Sequence, residues 1–154
     1  MLVGLHKGKS WLSRLIRWQT RSQYSHASAV LLGLDPVTIE AVEGIGVHKL
    51  GFRGFQPDVD YFLAPLTEEQ ERAAVEFLEE QIGKPYDWSM VARFISRRQE
   101  ARKTSGKWFC SELVFAAIKK AGVALLSGCE PWEVSPGLLA KSPLLQPYRF
   151  ATAT

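Results

Sequence analysis

Three residue types that can do chemistry together recur far apart in this chain: a cysteine, a histidine and a carboxylate. Cys110 stands at the start of an apolar run that continues through Ala121. Leu113, Val114, Ala117, Ile118 and Ala121 fall at three- and four-residue steps, so that run is expected to form a helix with one apolar face. Gly122 is placed to end it. Cys110 then lies in the first turn, where the helix dipole favours a thiolate and where the spacing turns the sulfur toward the packed face. Helix and sulfur together suggest a nucleophile, and a nucleophilic thiolate needs an imidazole and a group to orient it.

His26 is the candidate base. The stretch Tyr24 to Leu32 reads as a strand that begins at or just before it, Gly33-Leu34-Asp35-Pro36 as a turn, and Val37 to Glu43 as the returning strand. Two carboxylates on the return compete to orient the imidazole. Glu40 shares a sheet face with His26 if both strands are regular; Glu43 lies closer to directly opposite on a symmetric hairpin. Each residue also has an ordinary reading. A cysteine on an apolar helix face is often a small buried hydrophobe. A histidine at a strand start is often structural, and a glutamate on an edge strand simply faces water. His6, His48 and Cys129 show no partner pattern in sequence and are read as structural or surface. With Cys110 and His26 they make no metal-ligand spacing, so no zinc and no cofactor are expected.

The elements that must hold these residues follow from local signals. Leu2 to Leu5 is expected as a strand. Ser10 can cap an amphipathic helix with Leu12, Leu15, Ile16 and Gln19 on one side. Tyr61 to Ala64 is a further short strand. Thr67 and Gln70 form a capping box that opens a helix with Ala74, Val75, Phe77, Leu78 and Ile82 as its stripe, closed by Gly83 and Pro85. Asp87 caps the next helix, from Trp88 to about Gln99, with Val91, Phe94 and Ile95 inward. Residues 129–148 carry four prolines, Pro131, Pro136, Pro143 and Pro147, and read as extended chain with one short helix from Pro136 to Lys141. Hairpin, helices and tail in that order argue α+β and a single domain over 1–154.

Composition bounds the rest. Apolar residues make up 46% and charged residues 23%, ordinary values for a globular chain. The net charge of +3 does not argue for nucleic acid. Arginines cluster at Arg14, Arg17 and Arg21 and again from Arg93 to Lys107, and are read as solvated helix faces. Two cysteines are no disulfide framework. His6, Lys7 and Lys9 interrupt any signal-peptide core, and no stretch reaches the roughly 20 apolar residues of a membrane span. The expectation is a chain that is cytoplasmic as synthesised, or exported by another route.

Tyr24-Ser25-His26, then Ile39-Glu40-Ala41, then Gly83-Lys84-Pro85-Tyr86-Asp87, then Phe109-Cys110-Ser111-Glu112-Leu113-Val114 resembles the circularly permuted branch of the NlpC-type papain-like superfamily. That branch holds the YiiX-like proteins and, more distantly, lecithin retinol acyltransferase. The resemblance implies a permuted papain-like fold: a small antiparallel sheet packed against helices, with the cysteine at a helix N-terminus. It implies Cys110 as nucleophile, His26 as base and Glu40, rather than Glu43, as the third residue. It makes Tyr86 a cleft tyrosine, and the aromatic residues Tyr24 and Trp108 are expected to line the same cleft. The implied activity is hydrolysis of amides in small peptides, cell-wall fragments among them. An acyl transfer to or from lipids through the same cysteine, and a non-catalytic binding module, are the alternatives.

Overall fold

The computed structural model describes residues 1–96 and 106–149, with side chains described outside 93–105. The expected helix over Phe94, Ile95 and on to Gln99, and the basic residues 97–105, fall in part outside that range. Six strands form one antiparallel sheet: β1 (Leu2–His6), β2 (His26–Leu31), β3 (Val37–Val42), β4 (Gly46–Gly51), β5 (Val59–Leu63) and β6 (Gln146–Pro147). Their order across the sheet is β4-β3-β2-β1-β5-β6. Five helices accompany them: α1 (Trp11–Thr20), α2 (Glu68–Glu80), α3 (Trp88–Ser96), α4 (Cys110–Lys120) and α5 (Pro136–Leu139). The architecture is α+β, as the order of local signals suggested.

The alternation of strand side chains decides what each sheet face meets. Val3, Leu5, Ala27, Ala29, Ile39, Ala41 and Val47 point to the helical side and enter the main core. Three of them are alanines with no exposed surface, which lets α4 approach β2 and β3 closely. Cys110 through Ile118 are all buried, so α4 is a central helix covered by α2, by α5 and by the turn at Pro131–Glu133. Burying its Leu113, Val114, Phe115 and Ile118 contributes about 1.5–3 kcal/mol each relative to exposure. Burial therefore fixes where Cys110 stands more than helix propensity does. The opposite sheet face carries a smaller cluster, Leu2, Val30, Val59 and Tyr61, under Phe52 and Tyr148.

Caps fall where the sequence places them. Ser10 accepts from the Ser13 N–H, and Thr67 and Gln70 form the reciprocal capping box. Asp87 accepts from the backbone and hydroxyl of Ser89. Three features differ from expectation. Residues 46–51 form a strand pairing with β3, in which Val47 reaches the core while His48, one residue on, turns to the opposite face. Gln146 and Pro147 add a short strand to β5, and proline sits there on the sheet edge where its missing N–H costs nothing. Ile82 lies past the end of α2 and is exposed, not part of its stripe. Cys110 and Cys129 are both free thiols. No helix among the described residues is long and apolar enough to cross a membrane.

Candidate active site

The site forms where the ends of β1, β2 and β3 meet the start of α4. His26 opens β2 and pairs directly with His6, the last residue of β1. In the register of β2 with β3, Ala29 faces Ile39. Continuing that ladder by one step sets Ser28 across from Glu40. His26, two residues along, shares Glu40's face and lies diagonal to it. The imidazole bridges the gap: His26 Nε2 lies 2.5 Å from Glu40 Oε2. Glu43 instead lies exposed at the turn and makes no such contact.

Cys110 is the first residue of α4 and keeps 1% of its surface. Its sulfur lies near enough to the His26 ring to act on that ring's protonation. With Nε2 held by Glu40, Nδ1 is the nitrogen left for the sulfur. Three residues spread over most of the chain thus converge on one ring. Below Cys110 the helix start is anchored twice. The buried Glu112 carboxylate accepts from the Phe109 N–H at 3.2 Å, and Ser111 Oγ donates to the Val134 carbonyl at 2.6 Å. Glu112, in the first turn, is an N-terminal clamp of the cysteine helix.

The electrostatics of the group are uneven. Burial works hardest on His26 and disfavours its charged form, but the charge and hydrogen bond of Cys110, then those of Glu40, outweigh it and push its pKa up to about 10. Glu40 is raised by burial and lowered more by the hydrogen bond and charge of His26, with His6 and His48 adding, so it stays below 4.5. His6 moves the other way. Burial, then the positive His26 ring, push it down to about 3 against the pull of Glu40. One ring of the adjacent pair carries the charge and the other stays neutral.

His6 and His48 were not legible as partners from spacing. His6 Nε2 sits 2.9 Å from Ser28 Oγ, and the His6 and His26 rings meet edge to face with centroids 4.8 Å apart. His48, across from Glu40 on β4, brings Nε2 within 3.7 Å of Glu40 Oε1. The signal that could have found both is register: once β1 pairs with β2 and β4 with β3, alternation puts all of them on one face. The expectation of no metal-ligand grouping rested on sequence spacing alone. Among the described residues, the donor atoms of His6, His26 and Glu40 all lie within 4.8 Å of one another.

A cleft of about 220 Å³ opens beside His26, lined by Leu12, Ile16, Val42, Glu43 and Tyr86 among others. Tyr86 is held there by a parallel bridge to Trp108, with Trp108 N–H donating to Pro85 and Asp87 N–H to Trp108. Its pKa is raised, first by burial and then by the charges of Cys110, Glu43 and Asp87, so its hydroxyl keeps its proton. The same segment is pinned to β4 through Val47 and Lys84, at 2.8 Å. The other two expected cleft aromatics lie elsewhere. The Tyr24 hydroxyl donates to the half-exposed Asp60 at 2.6 Å, and Trp108 Nε1 donates to Gln81 while its ring packs on Phe77. Both are positioning residues of the scaffold, because burial and a satisfied polar tip suit an amphipathic ring there.

The sheet and the helices packed on it form the fold seen in the crystal structure of the metalloprotein YiiX from Escherichia coli O157:H7. The two chains superpose with a TM-score of 0.74 over 96% of this chain and 94% of that one, at 18% sequence identity. No protein-family model matches the sequence, and no curated protein matches it. The chain therefore shares the YiiX fold.

Proposed function

We propose that the protein is a cysteine hydrolase acting on amide bonds, with Cys110 as nucleophile, His26 as general base and acid, and Glu40 as the group that orients His26. The observation that carries this reading is the single imidazole hydrogen-bonded to a carboxylate and held in its charged form chiefly by a buried cysteine at a helix start. The Cys110 thiolate attacks the substrate carbonyl and a carbon–sulfur bond forms. The imidazolium gives its proton to the leaving nitrogen as the carbon–nitrogen bond breaks, leaving a thioester. Water then attacks, His26 takes its proton, and the carbon–sulfur bond breaks to release the acid and restore the thiolate. The Cys110 N–H at the helix N-terminus is one donor for the oxyanion, a contribution of about 3 kcal/mol. The Tyr86 hydroxyl is the second.

The substrate class rests on the resemblance to NlpC-type enzymes: short peptides of the cell-wall kind. The cleft supports this by its mixed lining, with Glu43 facing the amine side and Leu12, Ile16 and Val42 an apolar group. Those same apolar walls support acyl transfer as the second reading, with a lipid acyl chain in place of the peptide. Incubation with a panel of muropeptides and of labelled acyl lipids separates the two. Release of free amine from a muropeptide, absent in Cys110→Ala, is the expected result; equal release by Cys110→Ala overturns the reading.

YiiX is described as a metalloprotein. Two imidazoles and one carboxylate at His6, His26 and Glu40 fit a first-row divalent cation by donor type. Such an ion would supply Lewis-acid chemistry at that point, and none of the steps above runs through it.

A further inference from the structure

We infer that His6, His26 and Glu40 form a binding site for a first-row divalent cation, zinc by its ligand preference, and that its occupation switches the cysteine centre off. The inference rests on the hydrolase reading only for its second half. The donors lie within 4.8 Å of one another. Ligand bonds of about 2.0–2.2 Å place donors roughly 3.3 Å apart around a tetrahedral ion, so His26 and Glu40 separate slightly and His6 closes in. The outer contacts of such a site are already in place. Ser28 Oγ engages His6 Nε2 at 2.9 Å and fixes that ring, and His48 Nε2 stands 3.7 Å from the Glu40 oxygen that His26 does not use. A separate cavity of about 300 Å³ on the sheet face away from α4 is lined by His6, Ser28 and Glu40, with Arg53 and Gln56 at its wall. It offers the ion an entry path and room for a water or an exogenous ligand in the open position.

The consequence follows from proton bookkeeping on one ring. Nε2 of His26 faces Glu40. An ion there replaces the Nε2 proton, so the ring holds only its Nδ1 proton. Giving that proton to a leaving amine would create an imidazolate, and the acid step stops. Turnover and metal binding therefore exclude each other at His26, while His6 takes no part in turnover.

Isothermal titration of the metal-stripped protein with zinc chloride tests the site without any substrate. One equivalent is expected for the wild type and for Cys110→Ala. His6→Ala is expected to bind about 100-fold more weakly or worse, since even outer-shell partners cost 10–100-fold. Imidazole nitrogen resonances of the wild type, followed during the same titration, are expected to move for His6 and His26, a readout that no misfolded variant can mimic. Zinc binding that survives His6→Ala, or that is lost in Cys110→Ala, overturns the site. If zinc binds at His6 and the protein still turns over at saturating zinc, the switch is overturned. If no substrate is ever hydrolysed, the titration still decides the site by itself.

Discussion

His26 Nε2 and Glu40 Oε2 lie 2.5 Å apart on neighbouring strands, diagonal across the ladder of β2 and β3. That contact fixes the ring's orientation, with Nε2 toward Glu40 and Nδ1 left for the Cys110 sulfur.

Replacing the carboxylate by its amide tests this contact through stability. Glu40 sits below its ordinary value of 4.5, so its contribution is fully present above that pH and is lost as pH falls through the folded value. His26 is raised from 6.5 to about 10, so its contribution is full below 6.5 and is lost as pH rises through 10. The stability gap between wild type and Glu40→Gln is expected to be widest between those limits, about 1.5–3 kcal/mol, and to narrow on both sides. Urea melts at a series of pH values measure it; a gap independent of pH contradicts it.

Cys110 supplies the two leading influences that raise His26. In Cys110→Ala the His26 midpoint, followed by imaging its ring nitrogens in NMR titrations, is expected to fall well below its wild-type value. Glu40 keeps it from falling as far as burial alone would take it. An unchanged midpoint would mean that the sulfur does not touch the ring.

Tyr86→Phe removes the hydroxyl of the cleft tyrosine and leaves the ring in place. A loss of about 10- to 1,000-fold in kcat with KM nearly unchanged is expected if that hydroxyl meets the oxyanion. A change confined to KM would instead make Tyr86 a wall of the cleft.

Gly46 has φ of 91°, and a Cβ there would stand 2.4 Å from the Lys84 carbonyl. Gly46→Ala must both strain its backbone and push away the segment that carries Tyr86. A loss of about 2 kcal/mol or more in thermal or denaturant melts is expected, with activity falling alongside.

The helix starts were readable because caps are local: Ser10, Thr67 with Gln70, and Asp87 declare themselves within four residues. Cys110 and His26 stood out as a pair because a helix start and a hairpin each constrain nearby geometry, whereas the hairpin alone left Glu40 and Glu43 open and only the family resemblance favoured Glu40. His6 and His48 were not, since their place depends on how β1 and β4 pair with strands distant in sequence. Tyr24 and Trp108 looked like cleft residues because an aromatic near a motif says nothing about which way its ring turns. Asp60 and Gln81 decide that, and neither is near in sequence. β4 carries little signal in the sequence because only Val47 and Leu50 are apolar among its six residues, with a glycine at each end.

The most direct test of the cysteine–histidine pair needs no substrate. Alkylation of the native protein by iodoacetamide, resolved by peptide mass spectrometry from about pH 5 to about pH 8, compares Cys110 with Cys129 as an internal control thiol. Cys110 paired with His26 is expected to be alkylated faster than Cys129 at the acid end, and His26→Ala to remove that advantage. A Cys110 rate that climbs with pH in parallel with that of Cys129, and is indifferent to His26→Ala, contradicts the pairing on which the active site depends.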